Sequence, residues 1–151
     1  MAGLAKIVDG GSGNDSIDLS SVLTDATING GDGDDTITGS PTADWIDGGA
    51  GNDSIKGLGG NDTIYGNSGD DVIIGGTGDD MLKGGDGNDS FTWSNGDGSD
   101  TVVGGSGQNQ QLVTTDPGAD ILGVYAVGGH AFVNRTNLVG FTIDTDRKST
   151  R

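Results

Sequence analysis

Between residues 48 and 92 a large apolar residue returns at every ninth position: Ile55, Ile64, Ile73, Leu82 and Phe91. Five nonapeptides run there without a gap: GGAGNDSIK, GLGGNDTIY, GNSGDDVII, GGTGDDMLK and GGDGNDSFT. In all five the first and fourth residues are Gly, the sixth is Asp and the eighth is apolar. A fixed internal period marks an architecture of stacked units, each burying its apolar face against its neighbours. The frame extends outward. GGSGNDSID (10–18) and GGDGDDTIT (30–38) are full copies, and NGDGSDTVV (95–103) departs only at its first residue. GSPTADWID (39–47) keeps Asp44 and Ile46 but has Thr42 at the fourth position. SVLTDATIN (21–29) keeps only Ile28 and has Ala26 where Asp belongs. Leu19–Ser20 and Trp93–Ser94 are two-residue insertions, and GGSGQNQQL (104–112) and TDPGADILG (115–123) are weak final matches.

Each nonapeptide divides into two parts. Six turn residues carry glycines that adopt positive φ without steric cost and let the backbone approach an ion. Three strand residues follow, in which side chains alternate, so the eighth points one way and the seventh and ninth the other. Val8, Ile17, Ile28, Ile37, Ile46, Ile55, Ile64, Ile73, Leu82, Phe91 and Val102 then form ladders facing one interior. Two nonapeptides make an 18-residue coil with a strand on each side, and coils stacked about 4.8 Å apart give a rod of roughly 30 Å. The predicted fold is all-β, a parallel β-solenoid over 1–123 with its best repeats at 10–18, 30–38 and 48–103.

Composition sharpens this picture. Gly accounts for 32 of 151 residues, and all 23 acidic residues are Asp, which favours turns over helices. Apolar residues are 30% of the chain, enough for a thin core and too few for a wide one. The net charge of −16 excludes nucleic acid as the first partner, since that needs a basic face. It also opposes compaction, and a dense carboxylate array with so few basic residues calls for cations. No Cys is present, so neither disulfides nor Cys zinc sites are available. Residues 1–9 lack the apolar core of a signal peptide, and no run is long enough for a transmembrane helix. The repeat offers oxygen donors alone, which suits Ca²⁺ with its six to eight oxygens. Zinc or copper would want His or Cys, and the single His, His130, lies outside the array.

The GGxGxDxUx pattern over residues 10–103 resembles the repeats-in-toxin (RTX, haemolysin-type) calcium-binding nonapeptide. The resemblance implies a right-handed parallel β-roll with Ca²⁺ between turns stacked on the same side. It also implies sixth-position Asp and turn carbonyls as ligands. The expected carboxylate ligands are Asp15, Asp35, Asp53, Asp71 and Asp89 on one side and Asp62 and Asp80 on the other. Asp44 and Asp100 join them in disturbed surroundings. Carbonyl ligands are expected from Gly13, Gly33, Gly51, Gly60, Gly69, Gly78 and Gly87. Pairing neighbours in the stack gives about five to seven ions, with the turn of 21–26 empty. Asp32, Asp34, Asp70, Asp79, Asp86 and Asp97 are read as solvated surface.

The seventh positions are too irregular for a flat ice-binding face. Trp45, Tyr65 and Met81 fall on one side of the roll as a candidate strip for polysaccharide, or as a face covered by a neighbouring domain of a larger protein. Residues 124–151 leave the repeat, and VYAV and HAFVN around Gly128–Gly129 predict a short C-terminal β-hairpin cap or the start of a next module. No G-x-S-x-G, H-E-x-x-H or P-loop is present, and an EF-hand would end in Glu. The expected function is a non-catalytic module that folds on binding Ca²⁺ outside the cell, with type I secretion implied by the resemblance. Two other settings remain open: an accessory module of a secreted protease, lipase or polysaccharide-modifying enzyme, or an adhesive repeat of a large surface protein.

Overall fold

A computed structural model describes residues 4–94 and 98–107, together with the backbone of strands at 110–114, 123–126, 132–134 and 142–145. The chain coils, and successive strands fall alternately into two parallel sheets. The first sheet takes β1 (Lys6–Ser12), β3 (Ala26–Asp32), β5 (Trp45–Ala50), β7 (Thr63–Ser68), β9 (Met81–Asp86), β11 (Thr101–Ser106), β13 (Gly123–Ala126) and β15 (Thr142–Thr145), in that order. The second takes β2 (Ser16–Asp18), β4 (Thr36–Thr38), β6 (Ser54–Gly59), β8 (Val72–Thr77), β10 (Ser90–Ser94), β12 (Gln110–Thr114) and β14 (Phe132–Asn134). No helix occurs among the described residues. The architecture is the β-solenoid the nine-residue period predicts.

Register follows the apolar eighth position. Val8, Ile28, Ile46, Ile64, Leu82 and Val102 are successive partners in the first sheet. Ile17, Ile37, Ile55, Ile73 and Phe91 are partners in the second. The two ladders meet as one core, with the Ile residues from 28 to 73 fully buried. Val8, in the first strand of its sheet, is only partly buried. Each fully buried side chain contributes on the order of 1.5–3 kcal/mol, and β-branched Ile suits the pleated surface.

Two details differ from the sequence-based expectation. Most strands are longer than three residues, because pairing continues into the glycines of the next repeat. In β6, Ile55, Gly57 and Gly59 face inward while Lys56 and Leu58 face out. The first-position Gly is therefore an inward-facing strand residue rather than a turn residue. The expected C-terminal hairpin is also not formed. β13 and β14 lie in opposite sheets, and β13, β14 and β15 each pair parallel to the strand one coil earlier. Alternating apolar residues around Gly-Gly are a local hairpin signal, whereas the partners here are distant in sequence. Gly128–Gly129 itself, like His130 and the weak repeat at 115–122, lies outside the described residues.

Candidate metal centre

The turns form two edges, one at each junction between the sheets. The stacking brings Asp15, Asp35, Asp53, Asp71 and Asp89 into one column and Asp44, Asp62, Asp80 and Asp100 into the other, with Ala26 at the head of the second. The backbone N–H of each residue donates to Oδ1 of the Asp one coil later. On the first edge the N–H groups of Asp15, Asp35 and Asp53 reach Asp35, Asp53 and Asp71 at 2.8 Å each, and that of Asp71 reaches Asp89 at 3.1 Å. On the second edge the ladder runs from Ala26 to Asp44 at 2.7 Å, then through Asp62 and Asp80 to Asp100 at 2.8 Å per step. The two-residue insertion at 93–94 leaves it intact, since Asp80 still meets Asp100 across 20 residues.

One oxygen of every carboxylate below Asp15 in these columns is thereby used. The other has a different environment. The Oδ2 atoms of Asp15, Asp35, Asp53, Asp62 and Asp71 are buried and accept no hydrogen bond. Each points at the first-position Gly of its own turn. A Cβ on Gly66 would collide with Oδ2 of Asp71 and lie 2.7 Å from the Gly84 carbonyl oxygen. The same holds at Gly48 against Asp53 and at Gly57 against Asp62. Glycine is needed here for space, since these three residues do not have positive φ.

The fourth-position glycines do have positive φ, from Gly60 at 100° to Gly78 and Gly87 at 136°. Their carbonyl oxygens lie where a Cβ on the fourth-position Gly one coil on would sit: Gly13 against Gly33, Gly33 against Gly51, Gly51 against Gly69, Gly60 against Gly78. The carbonyls predicted as ligands therefore face along the stack, between turns. Among the described residues no three or more His, Cys, Asp or Glu side chains converge as a metal cluster. An ion held here needs those carbonyls as well as the carboxylates. An oxygen-only set mixing carbonyls with carboxylates fits Ca²⁺, and a buried Oδ2 lacking any donor fits a cation ligand.

Burial governs the acidity. Loss of hydration pushes Asp53 up to about 6, Asp71 to about 7 and Asp62 to about 8. The N–H donated from the preceding coil opposes the rise, and neighbouring carboxylates add to it. Asp89 rises to about 6 for the same first cause. A charged carboxylate column is therefore costly without a counter-ion.

A second column escaped the sequence reading. Fifth-position side chains accept N–H bonds running the opposite way along the stack. Asn14, Asp34, Asn52 and Asp70 receive the backbone N–H of Asp34, Asn52, Asp70 and Asn88 at 2.7–3.0 Å. Asn61 and Asp79 do the same on the second edge. Asp34, Asp70 and Asp79 are exposed, as expected of surface carboxylates, yet they link coils. The signal was available: the fifth position is Asn or Asp in all five uninterrupted repeats, and both carry a side-chain carbonyl acceptor.

On the outer face of the first sheet the Trp45 and Tyr65 rings lie 5.7 Å apart, tilted by 47°. Lys83 Nζ sits 4.8 Å over the Tyr65 ring, and Met81 is exposed on the same sheet. All three residues of the expected strip thus lie on one sheet, with Thr63 between Trp45 and Met81 in the register.

Stacked parallel coils with a carboxylate at all but one of the described turns define a class: a solenoid whose edges offer oxygen donors to cations. The profile of the RTX calcium-binding nonapeptide repeat matches residues 7–21, 24–55, 38–73, 56–91 and 95–110, together well over half of the sequence. The chain belongs to that family and is a calcium-binding repeat module. No curated protein and no solved structure matches it.

Proposed function

We propose that this is a non-catalytic module that orders when it meets Ca²⁺ outside the cell and serves a larger secreted or cell-surface protein. The observation that carries this reading is the column of buried Oδ2 atoms without donors at Asp15, Asp35, Asp53, Asp62 and Asp71. The sixth-position Asp residues would supply carboxylates, and Gly13, Gly33, Gly51, Gly60, Gly69, Gly78 and Gly87 would supply carbonyls, for about five to seven ions. Without cations, repulsion along the columns and the ordering entropy of 32 glycines keep the chain open. With Ca²⁺ present, binding free energy becomes folding free energy. Extracellular modules bind Ca²⁺ at about 10⁻⁴–10⁻³ M, so such a chain stays open in a calcium-poor cytosol and closes after export. Circular dichroism during a calcium titration tests this: the β signal should rise cooperatively with Ca²⁺ and vanish in chelator. A full β signal in chelator, unaltered by calcium, would sink the reading.

The larger protein has two readings, a secreted enzyme that uses the module as an accessory or an adhesive surface protein. The adjoining rings of Trp45 and the half-buried Tyr65 favour a ligand-binding use of the first sheet, because partly exposed aromatic rings suit the apolar faces of sugar rings. A neutral oligosaccharide should then shift Trp fluorescence of the calcium-loaded protein. Loss of that shift in Trp45→Ala would support the strip, and an unchanged spectrum in the parent protein would exclude it.

A further inference from the structure

The turn of residues 39–44 differs from the others. Apart from Val22 in the degenerate 21–29 repeat, the other described second-position residues have positive φ, including two that are not glycine, Leu58 at 85° and Asn67 at 76°. Ser40 does not, and neither does Thr42 at the fourth position. The altered backbone brings donors onto the carboxylate. The Ser40 backbone N–H donates to Asp44 Oδ2 at 2.6 Å, and its hydroxyl donates to Asp44 Oδ1 at 2.8 Å. The Ala26 N–H adds a third bond to Oδ1 at 2.7 Å. The Thr42 N–H, 3.2 Å from Ser40 Oγ, holds the hydroxyl in place. Ser40 is fully buried and Asp44 is 4% exposed. The oxygen that lacks a donor in Asp53, Asp62 and Asp71 is thus satisfied in Asp44 by the protein. The turn above it, residues 19–25, has no carboxylate in the column and fills the corner with Leu19, Ala26 and the half-buried Val22.

We propose that Ser40 takes the place of an ion at this corner, so that Asp44 is a structural clasp and not a calcium ligand. This revises the ligand set at one position and rests on the calcium reading of the remaining columns. A carboxylate with three donors already at hydrogen-bond distance has little to gain from a cation, and binding one would break the Ser40 contacts. The head of the second edge is consequently tied by protein groups alone.

The test counts bound calcium by native mass spectrometry at saturating Ca²⁺, alongside urea unfolding in the same buffer. Asp62→Asn and Asp71→Asn should each lose at least one ion; if neither does, the calcium reading itself fails. Given that loss, Asp44→Asn and Ser40→Ala should keep the parent ion count while the urea midpoint falls by about 1 M, as expected for a broken buried bond of about 1–3 kcal/mol. An ion lost from a folded Asp44→Asn, or an unchanged midpoint in Ser40→Ala, overturns the clasp. Should Asp44→Asn fail to fold, the double variant Ser40→Gly, Thr42→Gly decides. Freed of its clasp, Asp44 should gain an ion, and an unchanged count overturns the proposal.

Discussion

Replacing Asp71 by Ala should raise the calcium concentration needed for folding by about tenfold or more. Asp71 stands in the middle of the first-edge column, 1% exposed. Its Oδ1 accepts the Asp53 N–H at 2.8 Å, and its own N–H donates to Asp89. Truncation leaves the buried Asp53 N–H without an acceptor and removes one carboxylate from the column between its neighbours. A buried donor left unmade costs about 1–3 kcal/mol and a lost charged contact about 1.5–3 kcal/mol, where each 1.4 kcal/mol is tenfold. Asp32→Ala, at an exposed third position, should leave the calcium midpoint within about twofold of the parent, because screened surface charges contribute little. Equal shifts in the two variants would mean that bulk negative charge, and not the column, sets the calcium requirement.

Acid should partly replace calcium. The raised carboxylates bind protons more tightly in the folded state than in the open chain, where Asp keeps its ordinary value of 3.8. Protonation therefore favours the fold. That contribution is complete below about 4 and is lost as pH rises through the folded values of about 6 to 8. Calcium-stripped protein should show more β signal at pH 5 than at pH 8, and the increment added by Ca²⁺ should shrink toward pH 5 as protons compete for the same oxygens. Circular dichroism at both pH values, with and without Ca²⁺, measures this. A stripped protein that loses structure on acidification would show that the columns are not the groups resisting closure.

Much of this architecture was legible from one period. The apolar eighth position set the register of both sheets, and 18-residue stacking divided the Asp residues correctly between the edges. What escaped notice depended on contacts that spacing does not encode. Gly57 and Gly66 look like turn glycines, but they sit on the inward face, where the Asp side chain leaves no room for a Cβ. The parallel addition of β13 and β14 was masked by a local Gly-Gly signal, since a short apolar strand carries no mark of which distant strand it joins. Thr42 read as damage to a repeat, and Ser40 drew no notice. Their hydroxyl and amide groups acquire meaning only once Asp44 is seen buried beside them. The Trp45–Tyr65 ring contact followed from alternation alone, because Trp45 at a seventh position and Tyr65 at a ninth both point outward from neighbouring strands.

The fifth-position column has a consequence for ionic strength. On the first edge it reads Asn14, Asp34, Asn52, Asp70, Asn88, so a charge occurs only at every second coil, about 10 Å from the next. That spacing equals the Debye length at roughly 0.1 M salt, so ordinary monovalent salt suffices to quiet it. The sixth-position column places a carboxylate in every coil, about 4.8 Å apart, well inside the screening distance. Sodium or potassium chloride at physiological strength should relax the outer column but not the inner one, so the proposed need for a divalent ion narrows to a line one residue wide.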